Sequence, residues 1–324
     1  MSPAGGRLRI GTRGSALALW QTERVRSLLA AAGYDSEPVK IKTTGDLTPD
    51  VPLARIGSRA LFTKQIDDAL LNREIDLAVH SLKDLPTRLP AGIVIGAVGE
   101  REDARDALVS RDLLDWGALP HGARVGTSSL RRRAQLLYHR PDLQVVDLRG
   151  NVDTRLGKLD RNPEWSAIVL ASAGLVRLGL DHRIGERLPP DLLVPAPAQG
   201  ALAVTAREED QVVLNAVRHA VHDPIAELFV TAERAFLSRL EGGCQVPIAA
   251  YAQRAEGQAD AIHLHGRVVS PDGRVMVEKH GTGPVSDPEE SAALGIALAD
   301  DLLAQGAGAI LMDVRNGIPA ISEP

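Results

Sequence analysis

The sequence is poor in the features that mark secreted, membrane-embedded and disulfide-linked proteins. Cys244 is the only cysteine among 324 residues, so no disulfide can form within the chain. No apolar run approaches the length of a membrane span, and the first residues show no charged segment followed by an apolar one. We therefore expect neither a membrane span nor secretion, and the cytosol is the expected compartment.

The motifs of several common enzyme classes are also missing. There is no Walker loop, no Gly-x-Gly-x-x-Gly and no Gly-x-Ser-x-Gly, which removes the usual nucleotide-binding and serine-hydrolase interpretations. The nine histidines show no metal-ligand spacing, so no metal site is predicted. His263 and His265 lie two residues apart on a predicted strand, and we interpret them as surface residues.

Positive charge does not dominate the chain. The formal net charge of -5 argues against non-specific binding of nucleic acid, and no aromatic residues are interleaved with the run Arg131-Arg132-Arg133. The hydrophobic content of 44% is enough for real cores, and 324 residues suggest two or three domains.

Cys244 follows a predicted helix. Asp223 and Pro224 are typical of a helix start, apolar residues then recur at helical spacing, and Gly242 and Gly243 are typical of its end. The negative end of the helix dipole disfavours a thiolate, so Cys244 does not resemble an activated nucleophile. Two interpretations remain open: a small buried apolar residue, or a point to which another group is attached.

Residues 9–15 and 124–130 have similar sequences, and each predicts a strand, a small polar turn and then a helix. The first of these helices is predicted over residues 16–32, with Gly33 as its stop. Free N–H groups at a helix start bind anions, and Ser15 adds a hydroxyl. We interpret the repeat as two domains of similar build, each presenting a helix N-terminus to a shared cleft.

Polar residues follow a strand predicted over residues 75–79. Ser81, Lys83 and Asp84 lie where the strands of an open α/β sheet contact a ligand. The alternative is that Asp84 only shapes a turn before Pro86.

Arginines follow three further predicted strands, at residues 125–129, 145–148 and 167–171. Since arginine binds carboxylate or phosphate through two parallel hydrogen bonds, the expected ligand is a polyanion. Arg133 points in another helical direction and is expected to be a solvated charge. The arginines expected to bind this polyanion are Arg131, Arg132, Arg149, Arg155 and Arg177.

The remaining segments predict two points at which the chain passes from one domain to another, and a third, smaller region. The charged residues 100–106 and the proline-marked residues 194–201 are the crossings, which together would form a hinge. Other predicted elements are strands at 39–43 and 202–205, a helix at 61–71, a hairpin of 262–269 and 275–280, a helix at 289–305 and a strand at 310–314.

Six segments in one order resemble a known family. They are Gly11-Thr-Arg-Gly-Ser-Ala-Leu-Ala-Leu-Trp-Gln21, His80-Ser-Leu-Lys-Asp-Leu-Pro86, Gly126-Thr-Ser-Ser-Leu-Arg-Arg132, Leu148-Arg-Gly-Asn-Val152, Pro197-Ala-Gln-Gly200 and Leu240-Glu-Gly-Gly-Cys-Gln-Val-Pro-Ile248. Together they resemble the porphobilinogen deaminase family, also called hydroxymethylbilane synthase, over nearly the whole chain.

The resemblance implies an α/β fold with two domains similar to type II periplasmic binding proteins, joined by a hinge, and a small C-terminal α+β domain. The expected boundaries are 1–100 with 200–220 for domain 1, 101–199 for domain 2 and 221–324 for domain 3. It also implies a monomer that condenses four porphobilinogen molecules head to tail, releases ammonia at each addition, and then hydrolyses off hydroxymethylbilane.

The resemblance further implies a dipyrromethane cofactor attached to Cys244 by a thioether, with Asp84 as the catalytic residue. The residues implied to bind cofactor or substrate are Arg13, Ser15, Gln21, Ser81, Lys83, Thr127, Ser128, Ser129, Arg131, Arg132, Arg149, Arg155, Arg177 and Gln199. A mobile flap is implied to contribute Arg55, Arg59 and Phe62.

The chain departs from the family pattern in two places. Gly14 and Ala16 stand where glutamine and proline are common, and the flap has Arg59-Ala60 where lysine and glycine are usual. The alternative function is a non-catalytic, two-lobed binding protein for an acidic metabolite. Such a protein would carry no covalent dipyrrole.

Overall fold

A computed structural model describes residues 6–43, 63–240 and 246–317. The described strands are β1 Leu8–Thr12, β2 Ser36–Lys40, β3 Leu77–Ser81, β4 Ile93–Val98, β5 Asp106–Val109, β6 Arg124–Gly126, β7 Gln144–Val146, β8 Ala167–Ala171, β9 Glu186–Arg187, β10 Leu202–Arg207, β11 Ile248–Arg254, β12 Ala261–Val269 and β13 Met276–Pro284. The described α-helices are α1 Ala16–Ala31, α2 Lys64–Leu71, α3 Leu130–His139, α4 Val152–Arg161, α5 Ser172–Arg177, α6 Gln211–Val221, α7 Pro224–Arg239, α8 Pro288–Ala304 and α9 Ala307–Arg315.

The chain forms two compact units. Unit 1 is Met1–Asp103 with Gly200–Glu227, and unit 2 is Ala104–Gln199 with Leu228–Pro324. The division of the chain into three domains stays a prediction.

Unit 1 contains a five-stranded mixed sheet in the order β2-β1-β3-β10-β4. Strands β1, β2 and β3 are parallel, whereas β10 runs antiparallel to its neighbours β3 and β4. Apolar residues of α1 and α6, among them Leu29 and Val217, pack on Ile10 at one face. Helix α2 packs separately through Ile66 and Leu70. The parallel strands therefore end at one edge of a covered sheet.

Unit 2 repeats this strand order as β7-β6-β8-β5-β9. Strands β6, β7 and β8 are parallel, and β5 runs antiparallel to β8 and β9. Leu136 of α3 belongs to one core cluster, and Leu159 of α4 belongs to a second. The repeated topology confirms the predicted α/β class with two similarly built sheets.

A three-stranded antiparallel sheet, β11-β12-β13, completes unit 2. Helices α7, α8 and α9 cover it around a core that includes Phe236, Leu264 and Leu298. Arg267 of β12 donates Nη1 to Gln135 Oε1 (2.9 Å) and Nη2 to the Asp191 carbonyl (2.8 Å), which joins this sheet to α3 and the preceding loop. The predicted small α+β region is confirmed.

Two predictions about this region are wrong. Residues 310–314 lie in α9, because Ala307, Ile310 and Leu311 are buried three and four residues apart, which is helical spacing. The third strand of the sheet is instead β11, which the sequence analysis missed. His265 is 3% exposed and therefore is not a surface residue.

Smaller differences concern element boundaries. Strand β2 begins three residues before the predicted segment 39–43, and β3 extends two residues beyond the predicted segment 75–79. Arg133 is half-buried and donates to the Val145 carbonyl (3.0 Å), so it is not simply a solvated charge. Among the described residues, no single helix is long and apolar enough to cross a membrane; α8 and α9 reach that threshold only together, with a bend of 85° between them.

Candidate functional site

The candidate site of unit 1 lies at the carboxyl ends of β1 and β3, which we call edge 1. Ile10 and Gly11 of β1 pair with Leu77 and Ala78 of β3, so the residues after both strands share one end of the sheet. Edge 1 comprises Arg13, Ser15, Gln21, Ser81, Lys83 and Asp84.

Two hydrogen bonds organise edge 1. The Ser15 hydroxyl accepts from the Ala18 N–H (3.3 Å) and caps α1, because an N-cap hydroxyl satisfies a free amide of the first turn. Gln21, which is 2% exposed, donates Nε2 to the Ser81 hydroxyl (2.8 Å) and links α1 to the end of β3. The structure therefore brings these predicted residues together.

Asp84 is the exposed group of edge 1. It ends the short 3-10 helix Leu82–Asp84, which buried Leu82 anchors in the sheet. Within the described part of the chain, its carboxylate makes no hydrogen bond, so the structure offers no support for a purely turn-shaping role. An exposed carboxylate on an anchored turn can accept hydrogen bonds and stabilise positive charge.

His80, which was not predicted to have a role, precedes Ser81 at the end of β3. Its Nε2 lies 3.1 Å from the Thr205 hydroxyl, and the ring is 7% exposed. Burial, followed by the positive charge of Arg13, lowers the pKa of His80 to about 4. The imidazole is therefore neutral at neutral pH. His80 lies one residue beyond the strand predicted over residues 75–79, so its burial was not indicated.

In unit 2 the candidate residues lie at the carboxyl ends of β6, β7 and β8, which we call edge 2. Its turn after β6 is held by its own hydroxyls. Thr127 Oγ1 accepts from the Ser129 N–H (3.2 Å), Ser128 Oγ from the Leu148 N–H (3.0 Å), and Ser129 Oγ from the Arg132 N–H (3.4 Å). Each hydroxyl keeps an O–H that can be donated to an anion.

Arg131 and Arg132 lie in a buried ionic network around Asp106. Arg131 Nη1 donates to Asp106 Oδ2 (2.7 Å), while Nε and Nη2 of Arg132 donate to Oδ1 (3.0 and 2.7 Å). Gln199 Nε2 donates to the same Oδ1 (2.9 Å). Further bonds join the two guanidinium groups to the carbonyls of Val194 and Val169.

Asp106 is fully buried, although it was predicted only as part of the charged segment 100–106. Burial alone would raise the pKa of Asp106, but the charges of Arg131 and Arg132 lower it well below its usual range. One carboxylate thus faces two guanidinium groups, which leaves a net positive charge at edge 2. Because Asp106 lies 25 residues from Arg131, nothing local in the sequence indicates this pairing.

Arg149 directly follows Leu148, whose N–H donates to Ser128, so it lies beside the turn after β6. Its Nη1 is buried and has no hydrogen-bond partner among the described residues. Buried cationic groups are normally paired, and an unpaired one indicates a place for an anionic ligand.

The other two arginines of edge 2 differ in position. Arg155 is half-buried in the first turn of α4, whose Asn151 cap accepts from the Thr154 N–H (2.8 Å). Arg177 is 8% exposed and ends α5, so it lies six residues beyond the last residue of β8. The strand predicted to precede Arg177 is therefore present, and the role of Arg177 stays a prediction.

Cys244, Arg55, Arg59 and Phe62 lie outside the described residues. Buried Glu233 anchors the helix that precedes Cys244 in sequence. Its carboxylate accepts from the Ala198 N–H and the Ala252 N–H, each at 2.6 Å, so it joins α7 to β11 and to the turn before Gln199.

The residues of both edges lie in a segment that matches a known family. The family model "Porphobilinogen deaminase, dipyromethane cofactor binding domain" matches residues 8–215, and "Porphobilinogen deaminase, C-terminal domain" matches residues 228–304. The porphobilinogen deaminase of Rubrobacter xylanophilus is 52% identical over 97% of this chain and 99% of that protein. That of Geobacter sulfurreducens is 50% identical over 95% of each.

Among solved structures, the methionine binding protein MetQ aligns with 66% of this chain and 89% of that chain, at 14% identity and a TM-score of 0.41. The family models and the relatives together cover both sheets and the C-terminal region. The chain belongs to the porphobilinogen deaminase family.

Proposed function

We propose that this protein is a porphobilinogen deaminase, a transferase that joins four porphobilinogen molecules head to tail, releases ammonia at each step and hydrolyses off hydroxymethylbilane. The observation that carries the proposal is the buried Nη1 of Arg149, which has no partner among the described residues, taken together with the Asp106–Arg131–Arg132 network of the same unit. A pyrrole with acetate and propionate arms supplies the carboxylates that such an edge binds.

The residues of edge 2 fit a dipyrromethane cofactor, because a dipyrrole brings several carboxylates to a region with an excess of guanidinium groups. Arg131, Arg132 and Arg149 bind these carboxylates, and the turn hydroxyls of Thr127 and Ser129 donate to them. The cofactor, when bound, supplies the pyrrole on which chain growth begins. Its covalent attachment is a thioether to Cys244, which keeps intermediates on the protein.

Arg155, Arg177 and the edge 1 cations Arg13 and Lys83 extend carboxylate binding as the substrate chain grows. Ser15, Ser81 and Ser128 position their backbone segments, and Gln21 and Gln199 hold those segments through buried hydrogen bonds. We also propose Arg55, Arg59 and Phe62, which lie outside the described residues, as contacts to substrate.

Asp84 is the catalytic residue. Its carboxylate accepts the pyrrole N–H of the incoming substrate and stabilises the positive charge that develops on that substrate as ammonia leaves. Its exposure leaves the carboxylate accessible to substrate, while buried Leu82 keeps its turn in place. We expect a cytoplasmic monomer that acts on a small molecule and needs no nucleic acid.

The test is purified enzyme incubated with porphobilinogen, with linear tetrapyrrole and ammonia measured, together with the intact mass of the protein. We expect product, and a mass that exceeds the polypeptide by one dipyrrole. Cys244→Ser should have the bare polypeptide mass and no synthesis.

Active wild-type protein with the bare polypeptide mass would contradict the proposed attachment. A bare mass together with tight binding of porphobilinogen but no product would indicate the non-catalytic binding protein instead.

A further inference from the structure

The β12–β13 hairpin carries a histidine-rich cluster that the proposed reaction does not use. His265 pairs directly with His280, and His263 pairs with Thr282. Directly opposed residues of an antiparallel pair extend from the same face, and alternate residues of one strand share that face. These four side chains therefore gather on one face of the sheet.

Three side chains of this face converge. One ligand atom from each of His265, Glu278 and His280 lies within 4.8 Å of the other two. His265 Nε2 is 3.0 Å from Glu278 Oε2, and the rings of His265 and His280 stack with centroids 4.0 Å apart. Donors at tetrahedral Zn²⁺ lie about 3.3 Å apart, and an imidazole nitrogen binds a metal in the plane of its ring. The His280 ring must therefore rotate out of the stack before both nitrogens can face one ion.

A second layer of hydrogen bonds orients His280. Its Nδ1 lies 3.1 Å from His263 Nε2, and His263 Nδ1 lies 3.0 Å from the Thr282 hydroxyl. With Nδ1 used in this way, Nε2 of His280 is the nitrogen left for another partner. Metal-bound histidines are typically oriented by such a bond to the second ring nitrogen.

Both signs of charge lie near the cluster, since Arg267 contributes a positive charge and Glu278 a negative one. Arg267 donates Nε to Glu278 Oε2 (2.7 Å), whereas Oε1 makes no hydrogen bond within the described residues. Asp191 adds a negative charge that acts on His263. Glu278 can therefore keep Arg267 on one oxygen and offer the other.

We propose that His265, Glu278 and His280 bind a divalent transition-metal ion such as Zn²⁺, with water completing its coordination. Two imidazoles and one carboxylate are a donor set typical of Zn²⁺, and of Co²⁺ as its spectroscopic substitute. His265 is buried, Glu278 is half-buried and His280 is exposed, so an ion can enter from solvent at His280. The bound ion would clamp β12 to β13.

The experiment is titration of the metal-free holoenzyme with Co²⁺ at neutral pH, followed by visible absorption. We expect saturation at one ion, with weak bands typical of nitrogen and oxygen ligands. His280→Ala should weaken binding by at least tenfold, and His263→Ala by about 10- to 100-fold through the outer layer. His182→Ala, which removes an exposed histidine elsewhere in unit 2, should bind Co²⁺ like wild type.

Thermal unfolding with and without Zn²⁺ gives a second measurement, since an ion that binds only the folded state raises Tm. We expect the rise in wild type and His182→Ala but not in His280→Ala. Equal Co²⁺ affinity in wild type and His280→Ala would overturn the proposal. An intense sulfur-to-cobalt band would do the same, because it would assign the ion to Cys244.

Discussion

The sheets that carry edge 1 and edge 2 are similarly built, but the charged side chains of the two edges differ in burial. At edge 2, Arg131 and Arg132 are buried and held by Asp106, and at edge 1 the carboxylate of Asp84 is exposed. A guanidinium fixed before ligand binding loses little conformational freedom when it meets a carboxylate. Under the proposed function, we expect edge 2 to hold the anionic chain and edge 1 to carry the chemistry.

Asp84→Asn tests edge 1 and should have the largest effect. Loss of the negative charge removes stabilisation of the developing cation, so we expect kcat to fall by about 10²- to 10⁴-fold with a smaller change in KM. Steady-state kinetics with porphobilinogen measures this. The control Asp68→Asn removes an exposed carboxylate of α2 in the same unit and should leave kcat unchanged.

The intact mass of Asp84→Asn should still include the cofactor, because edge 2 is untouched. Near-normal turnover in this variant would contradict the proposal that Asp84 of edge 1 is the catalytic residue.

Asp106→Asn tests edge 2. The substitution leaves two buried guanidinium groups without their counter-charge, and breaking a buried network in this way costs about 3–5 kcal/mol. We expect a lower free energy of unfolding in urea and protein that lacks the cofactor. Asp112→Asn, an exposed carboxylate of the same unit, should change stability by less than about 0.5 kcal/mol.

If Asp106→Asn were as stable as wild type and fully loaded with cofactor, Asp106 would not be needed to position the two arginines.

His80 gives edge 1 a pH dependence that edge 2 is not expected to share. Because its folded pKa of about 4 is below the ordinary 6.5, the folded state binds fewer protons than the unfolded state between these values. Stability from neutral His80 is therefore complete above pH 6.5 and is lost as the pH falls towards 4. The full difference is about 3 kcal/mol.

His80→Gln has no titrating ring and retains a group that can bond to Thr205. Its free energy of unfolding should therefore fall less than that of wild type between pH 6.5 and 4. Parallel pH profiles for the two proteins would show that His80 is not held neutral.

Arg149→Leu should have only a small effect on stability but should clearly reduce the fraction of protein that carries the cofactor. Since Nη1 of Arg149 has no partner among the described residues, we expect a change of less than about 1 kcal/mol in the free energy of unfolding. Cofactor occupancy, measured by intact mass, should fall several-fold.

Arg111→Leu is the control for Arg149→Leu, and its expected effects on stability and cofactor occupancy are reversed. Arg111 donates to the carbonyls of Leu159, Asn162, Pro163 and Trp165, so its loss should lower stability by about 1–3 kcal/mol without lowering occupancy. Equal cofactor occupancy in the two variants would contradict the proposal that Arg149 binds the cofactor.

The sequence predicted most of the elements around both edges, because their signals are local. Ser15 and Ser129 accept from amides three residues ahead, and Gly33, with φ 87°, follows the end of α1 as expected. Local signals fail where they are ambiguous. The short apolar run at 310–314 fits a strand or a buried helix, and only its packing against β12 and α8 selects the helix.

By itself, the sequence determined the strand–turn–helix units, the family and the residue types available for binding anions. Tertiary structure alone decided which side chains lie close together: Arg131 with Asp106, Gln21 with Ser81, and His265 with Glu278 and His280. The reason is physical. A helix cap depends on neighbours within one turn, whereas an ion pair or a metal-ligand group across strands depends on the register that whole-sheet packing selects.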